Sequence, residues 1–506
     1  MALASIWAKW DSISAITLVQ LGAVLFVFYK ISQYTYRAFF HPYAKYPGPW
    51  FAGISNLWYA YHWFSGRYPW VIEAAFEKYG DVIRIAPNEV AFFRVEAQTD
   101  ILMAGSSKGK LPFIKTEIQR WKGEHAGIAA DQDPEKHRAV RKILAPAFNP
   151  RALKEQEPIL HLHIDAFLQK IDESSKNGDV DMSEWFDWLA CDIAGDVTYN
   201  GDFHNVKDGR SNPFLTVFRQ AGFIGTVHQV FCRWPWLHAV VFASLPYKLA
   251  LVIPTIYREN HKMVNSRVRR RDKLVHPDYF SLMVTEETTP SEDFLVAQAN
   301  HLIIGGFDPD TNLWTSALFF LLTHPDKLEK LQQEIRGRFS SYDDIVGENV
   351  PNLPWLNAVI EESLRLHTNG AFGLPRISPG DTVDGHYIPA GCRVQTSIFA
   401  TSHSERYFRR PREFHPERWL PATHADYDKA FDTDDRASFK PFSMGPRGCI
   451  GQNMGYLQTR LLFTKLAWKL DWEHVNKGEV DWERDTKLYS MWVKPPVIAK
   501  FKSSSP

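Results

Sequence analysis

The first strong pattern along the chain is an unbroken apolar stretch near its start. From Ser12 to Tyr29, SISAITLVQLGAVLFVFY carries no charge, with Lys9 and Asp11 before it and Lys30 after it. About 18 uncharged residues reach the lower limit of what a helix needs to cross a bilayer. The stretch is hydrophobic on every face, unlike an amphipathic core helix, and the following ISQYTYRAFF offers no small-residue cleavage site. It reads as a retained membrane anchor. Lys30, Arg37 and Lys45 follow it while Lys9 alone precedes it, which places the rest of the chain in the cytosol. Tyr46-Pro47-Gly48-Pro49 excludes helix and reads as a stiff hinge. The expected division is residues 1–45 for anchor and hinge, and 46–506 for one globular unit.

Within the globule, Trp70 to Tyr79 has helical spacing. Asp81–Pro87 and Glu89–Val95 alternate as a β-hairpin turning at Pro87-Asn88. Gly105 to Asp133 lacks periodicity and reads as a long functional loop; Pro134 to Phe148 is a basic helix with proline in its first turn. The apolar run between Phe214 and Pro254 is broken by Pro235 and Pro246, so it is read as part core and part surface dipping into the bilayer. RVRRRDK, Arg267 to Lys273, is read as a solvated helix face. The longest helix runs from Glu292 past Leu322 to a stop at His324-Pro325, followed by helices over Lys327–Phe339 and Leu353–Leu366 and short strands from Asp381 to Thr396. The predicted fold is mainly α with a small β portion.

Composition narrows the function. With 45% hydrophobic and 14% aromatic residues among 506, the chain can bury a large core. Lys+Arg and Asp+Glu are equal at 58 each, which gives no reason to expect a nucleic-acid partner. Cys191, Cys232, Cys392 and Cys449 are widely spaced without a CxxC pair, so neither a zinc site nor a disulfide framework is expected.

One cysteine stands in a distinctive setting. Phe442-Ser443-Met444-Gly445-Pro446-Arg447-Gly448-Cys449-Ile450-Gly451 fits FxxGxRxCxG at every fixed position. That is the haem-binding signature of the cytochrome P450 family, which the chain resembles from end to end. The resemblance implies a triangular helical prism around haem b (iron protoporphyrin IX), with the Cys449 thiolate as iron ligand. Such a ligand needs a tight turn with N–H groups aimed at sulfur, and the glycines permit that approach. A thiolate pushes electron density onto iron and favours O–O cleavage. By the same resemblance, Phe442 packs below the ring and Arg447 meets a haem propionate. His137 and Arg141, in the family's helix pattern, and Arg376 in Leu374-Pro375-Arg376 supply further propionate contacts. Glu362-Ser363-Leu364-Arg365 is the family's ExxR, with both charges on one helix face. Arg418, in Phe414-His415-Pro416-Glu417-Arg418-Trp419, closes the Glu–Arg–Arg triad. Lys136, Arg138 and Lys142 fit a basic docking face for an acidic flavoprotein reductase.

The long helix carries a departure from the family. His301-Leu302-Ile303-Ile304-Gly305-Gly306-Phe307-Asp308-Pro309-Asp310-Thr311 aligns with Ala/Gly-Gly-x-Asp/Glu-Thr, and Pro309 occupies the alcohol's place. Proline offers no side-chain hydrogen bond and removes the N–H that would meet the Gly305 carbonyl, so the helix is expected to open near the Gly-Gly pair. Thr311 lies about 200° further round and is no substitute. His301, Gly305, Asp308 and Pro309 share one stripe. His301, Gly305 and Pro309 are therefore expected to face substrate, and Asp308 to relay protons.

The resemblance implies a monooxygenase that takes O2 and NADPH-derived electrons through NADPH–cytochrome P450 reductase, anchored by one pass in the endoplasmic reticulum membrane. Its style is similar to fungal microsomal members acting on apolar secondary metabolites such as terpenoids, polyketides or alkaloids. Pro309 keeps open non-hydroxylating chemistry: oxidative coupling, desaturation, ring closure or peroxide rearrangement. A haem-binding sensor or carrier is the reading from another class. Family position suggests pocket walls at Lys110–Trp121, Ala371-Phe372 and Ser490-Met491-Trp492.

Overall fold

The computed structural model describes residues 15–106, 110–117, 126–270, 273–284 and 289–504. The first helix, α1 (Ala15–Thr35), buries none of its residues and continues as a π turn over Tyr36–Phe40. Among the described residues this is the one continuous helix long and apolar enough to cross a membrane. Residues 12–14 of the apolar stretch, with Lys9 and Asp11, lie outside the described residues. Arg37 and Arg84 tie the end of the helix to the globule. Arg37 Nη1 donates to the Ile54 carbonyl at 2.9 Å, and Arg84 Nη1 donates to the Arg37 carbonyl at 2.8 Å.

Beyond the hinge the chain is mainly helical with small sheets, as its periodicity predicts. α2 (Tyr68–Tyr79) leads into the hairpin β1 (Val82–Ala86) and β2 (Glu89–Phe92), in which Val82 faces Phe92. The predicted loop contains a short strand, β3 (Ile114–Lys115). It joins β4 (Arg376–Ile377) and β5 (Arg393–Thr396) in one five-stranded sheet of order β1-β2-β5-β4-β3. The register sets Lys115 beside Arg376, and Arg376 beside Val394. Two cations brought together by strand pairing matter for the site below.

α3 (Pro134–Leu144) starts on an Asp133 cap that accepts from the Glu135 and Lys136 N–H groups. α4 (Pro150–Asn177) and α5 (Met182–Tyr199) follow. The apolar run then folds as α6 (Pro213–Phe231), α7 (Pro235–Ala243) and α8 (Val252–Arg269). A 116° bend between Ala243 and Tyr247 agrees with prolines breaking the run. α6 is largely buried, whereas α7 buries none of its residues. The main core lies around α9 (Glu292–Thr323), with α10 (Pro325–Arg338), α11 (Pro354–Leu366) and α12 (Gln452–Lys469) packed nearby; Trp314 and Trp355 are among its fully buried side chains.

The reading of Arg267 to Lys273 as a solvated face is corrected at its first residue. Arg267 is buried and paired through two donors with the buried Asp278, one of them at 2.8 Å. Helical periodicity turns Arg267 inward, and a carboxylate ten residues or so downstream makes its burial tolerable.

On α11, Glu362 and Arg365 are wholly buried. Arg365 donates to both Glu362 oxygens at 2.9 and 2.8 Å. Arg418 Nε donates to Glu362 at 3.0 Å, Trp419 Nε1 at 2.9 Å and the His415 N–H at 2.9 Å. Arg365 also donates to the Ser402 and Pro411 carbonyls, each at 2.6 Å, while Arg418 pairs with Asp434. One buried carboxylate thus fastens the irregular segment 402–434 onto α11. Burial pushes the Glu362 carboxyl up, but Arg365, Arg418 and the His415 N–H outweigh it and bring it from 4.5 to about 2. A lowered folded-state value stabilises the protein above the unfolded value and is lost as pH falls through the folded one. Glu362→Ala, which strands buried guanidinium charge, is expected to destabilise by ~3–5 kcal/mol at neutral pH. Chemical unfolding from neutral pH downward checks this, and the wild-type advantage should shrink between pH 4.5 and about 2.

Candidate haem-thiolate site

The Cys449 turn is built by backbone. Gly445 has φ of +74°, and a Cβ there would come 2.3 Å from the Leu102 carbonyl oxygen, so glycine is required on both counts. The Gly448 N–H closes onto the Gly445 carbonyl at 2.9 Å, and the Cys449 N–H donates to the Phe442 carbonyl at 2.9 Å. Cys449 lies three residues before α12 and is exposed. Its thiol is pushed up, by burial first and by Asp310, against hydrogen bonding from the Gly451 and Gln452 N–H groups and the nearby Arg141 charge. Phe442 packs against Tyr456 with ring centroids 5.0 Å apart.

Cations converge on this region. Arg376 is buried, and its Nη1 finds only the Leu374 and Pro375 carbonyls, at 3.2 and 3.1 Å. Burial and then Arg447 push its guanidinium down to about 10. Arg447 Nη1 donates to the Asp131 carbonyl at 2.7 Å, and Arg141 Nη1 to the Gly448 carbonyl at 2.8 Å. His137 is buried on the inner face of α3 and held at about 3 by burial, Arg447, Lys115 and Arg141, so it is neutral. Lys136, Arg138 and Lys142 lie on the exposed face of the same helix.

Lys115 is the member that motif reading missed. Its Nζ donates to the Ala129 carbonyl at 2.5 Å, and burial with Arg376 and Arg447 pushes it well down. Among the described residues, no carboxylate forms an ion pair with Lys115, His137, Arg141, Arg376 or Arg447. Buried cations of one sign repel unless an anion joins them. Their arrangement, beside a cysteine at a glycine turn, fits a ligand that carries two carboxylates and accepts a thiolate. Haem fits this donor set.

α9 presents the other wall. In a helix otherwise mostly buried, Ile304 and Gly305 are exposed while His301, Asp308 and Pro309 are half-buried. A Cβ on Gly305 would meet nothing within 4 Å, whereas one on Gly306 would touch Ala194 of α5 at 3.4 Å. The expected opening at the Gly-Gly pair is corrected, because α9 runs as one helix through Pro309. Asn369 packs against this part of the helix: its Nδ2 donates to the Pro309 carbonyl at 3.1 Å, while its Oδ1 accepts from Asn312 Nδ2 at 3.1 Å. Burial pushes the Asp308 carboxyl up to about 7 against the pull of Lys494 and Asn312, with Asp187 pushing the same way as burial.

Thr311 lies away from the stripe, buried and donating to Asp187 at 2.5 Å. His301 packs on the loop: a Cβ at Gly127 would fall 2.0 Å from its Nδ1. Burial and then Lys115 hold its imidazole down at about 4, so it is neutral. Asp310, not singled out from sequence, is buried toward α12, where Gln458 donates to it.

Other suggested positions divide. Trp492 is a core residue that donates to the Thr368 carbonyl at 3.1 Å, and Ala371 is buried, while Phe372 and Met491 are partly exposed. Residues 118–121 of the suggested loop wall lie outside the described residues. Cys232, one of four cysteines whose wide spacing gave no reason to expect a zinc site, sits 3.7 Å from His228 Nδ1, which shares a 3.0 Å hydrogen bond with His238 Nε2. A helical turn and a tight corner bring these three together, which spacing along the chain does not reveal.

Comparison with known proteins agrees with the geometry. The family model described as cytochrome P450 matches residues 46–501. Cytochrome P450 monooxygenase poxC of Penicillium oxalicum is 39% identical, the match covering 95% of this chain and 93% of that protein. TwmD of Talaromyces wortmannii is 36% identical over 95% of each chain, and BOA3 of Botryotinia fuckeliana 36% over 96% of each; both are also named cytochrome P450 monooxygenases.

The cation cluster yields a test of opposite signs. Arg376→Met should stabilise the haem-free protein in thermal unfolding, because it removes a buried charge that faces others of its sign. It should also speed haem loss to a scavenging globin about tenfold or more, the weight of a charge-assisted hydrogen bond at ~1.5–3 kcal/mol.

Proposed function

The chain belongs to the cytochrome P450 family and is a monooxygenase; from that premise we propose that it oxidises an apolar small molecule at a haem b held by Cys449. The observation that carries this reading is the set of basic side chains without an ion-pair partner among the described residues beside the Cys449 turn, with Arg376 buried, Lys115, Arg141 and Arg447 half-buried and His137 buried and neutral. His137, Arg141, Arg376 and Arg447, joined by Lys115, would hold the propionates, with Phe442 packed beneath the ring. When bound, the haem supplies an iron that binds O2 and activates it with electrons from a reductase. The protein's own contribution is to fix that group, exclude bulk water and deliver protons.

Asp308 is the proton-relay residue in this reading. A carboxyl near its midpoint at neutral pH both gives and regains a proton readily. Gly305 leaves room beside it, and neutral His301 borders the same stripe. Pro309 contributes no hydroxyl, so proton delivery depends on Asp308 with water and on any hydroxyl of the substrate. This favours, as a second reading, outcomes that need less orderly proton delivery: oxidative coupling, desaturation, ring closure or peroxide rearrangement.

The exposed cations Lys136, Arg138 and Lys142 suit an acidic NADPH–cytochrome P450 reductase. Membrane attachment extends beyond α1. Trp50, Tyr61, Trp236 and Tyr247 are all at least 70% exposed. An apolar groove of about 710 Å³, lined in part by Tyr34, Phe51, Trp58, Phe231 and Trp234, lies among them. Aromatic side chains of this kind favour the membrane interface. The proposed setting is the endoplasmic reticulum surface, with a terpenoid, polyketide or alkaloid of fungal secondary metabolism as substrate class.

With NADPH, reductase and labelled O2, hydroxylation places one labelled oxygen in each product molecule, whereas desaturation or coupling places none. Failure of NADPH and reductase to reduce the iron in the presence of a metabolite panel would favour a sensor or carrier. Pro309→Thr is expected to raise product formed per NADPH consumed; an unchanged ratio contradicts the role given to the missing hydroxyl.

A further inference from the structure

The corner between α6 and α7 gathers three side chains of the types that ligate transition metals. His228 lies in the last turn of α6, and Cys232 follows it four residues on. Cys232 keeps helical backbone angles, and its N–H donates to the His228 carbonyl at 2.9 Å. Spacing of i and i+4 sets both side chains on one face of the helix. The chain then turns sharply: the Trp234 N–H donates to the Phe231 carbonyl and the His238 N–H to the Trp234 carbonyl, each at 2.9 Å. That corner starts α7 at Pro235 and brings His238 back to the end of α6.

His238 Nε2 lies 3.0 Å from His228 Nδ1, and Cys232 Sγ lies 3.7 Å from His228 Nδ1 and 3.5 Å from its Nε2. One donor atom from each residue lies within 4.8 Å of the other two, a grouping of three that no other His, Cys, Asp or Glu set among the described residues achieves. Zinc bonds of about 2.0–2.1 Å to nitrogen and about 2.3 Å to sulfur set tetrahedral ligand atoms about 3.3 Å apart for N and N, and about 3.6 Å for S and N. The observed 3.0 and 3.7 Å lie close to those two edges. His228 is buried, while Cys232 and His238 are half-buried, so the cluster is shielded yet reachable. The neighbouring Arg233 is already paired with the buried Glu89. Burial and then Glu117 push the Cys232 thiol up to about 11 against the pull of Arg393 and Arg233, so a metal displaces its proton on binding.

α7 has nine residues and buries none of them, and a helix that short is marginal by itself. His238 stacks on Phe242 with ring centroids 4.5 Å apart, and Phe242 meets His228 at 6.3 Å, so this one corner carries both the ring contacts and the ligand atoms. We propose that His228, Cys232 and His238 bind a zinc ion that staples α7 to α6, with water in the fourth position. None of the three belongs to the Cys449 site, so zinc and haem iron are counted separately and either reading can fail alone.

The experiment uses full-length, haem-loaded enzyme incubated with Zn2+ and freed of excess metal by gel filtration. Elemental analysis should find about one zinc per chain. X-ray absorption at the zinc edge, where haem iron is silent, should show one sulfur at about 2.3 Å beside nitrogen or oxygen at about 2.0–2.1 Å. Cys232→Ser should lose the sulfur, and Cys392→Ser should keep it. His238→Ala should weaken zinc binding about tenfold or more, since even outer-sphere partners of a metal site count for that much. Its side chain stands on a helix with no buried residue, so this variant stays informative where Cys232→Ser does not fold. Zinc should also slow hydrogen exchange over residues 235–243 in the wild type but not in His238→Ala. Zinc that does not stay with the protein, that shows nitrogen and oxygen donors alone, or that binds His238→Ala as tightly as wild type overturns the site. Exchange in α7 that zinc leaves unchanged overturns the staple.

Discussion

Positive charge gathered at one place, with Asp131 and Asp133 acting on it only from beyond ion-pair distance, is the constraint on which this structure turns. Arg141, Arg376, Arg447 and Lys115 come from four separate stretches of chain and converge without an ion-pair partner among the described residues. Left alone, such a cluster costs stability through desolvation and mutual repulsion. The fold nonetheless goes to some length to assemble it. Strand pairing sets Lys115 beside Arg376, α3 turns His137 and Arg141 inward, and the Gly445 turn brings Arg447 against the Asp131 carbonyl. A dianionic ligand on the same side as a cysteine turns this liability into a binding site.

The rest of the framework serves that arrangement from two sides. Behind the cysteine, Glu362 gathers Arg365, Arg418, Trp419 and the His415 N–H, so the chain leading to the Cys449 turn is fastened to α11. On the other side, α9 runs as one helix through Pro309, and Asn369 bonds both the Pro309 carbonyl and Asn312. The alcohol is missing there, one residue after Asp308.

Much of this was legible in the sequence, for physical reasons. The long helices announce themselves by periodicity and by proline or capping stops, and the Cys449 turn by its signature, in which Gly445 takes a positive φ that leaves no room for a Cβ. The ExxR pair was implied by the family resemblance, with helix geometry placing both charges on one face. What could not be read depends on contacts between distant parts of the chain. Lys115 sat in an aperiodic loop, and only its pairing with β4 brings it to Arg376. Asn369 carries no motif, since its role arises from what stands opposite it. Arg267 looked like one cation in a basic run because its partner Asp278 lies beyond a turn. α9 runs on through Pro309 although proline removes a backbone donor, and its sequence carries no signal of that continuity.

Everything rests on a thiolate at Cys449 bound to haem iron, and the carbon monoxide difference spectrum of the reduced enzyme tests this most directly. Wild type should give a Soret band at about 450 nm, the consequence of thiolate ligation, and Cys449→Ser should lose it while the remaining fold persists. A wild-type protein that binds haem without that band, or a Cys449→Ser protein that keeps it, would contradict the assignment.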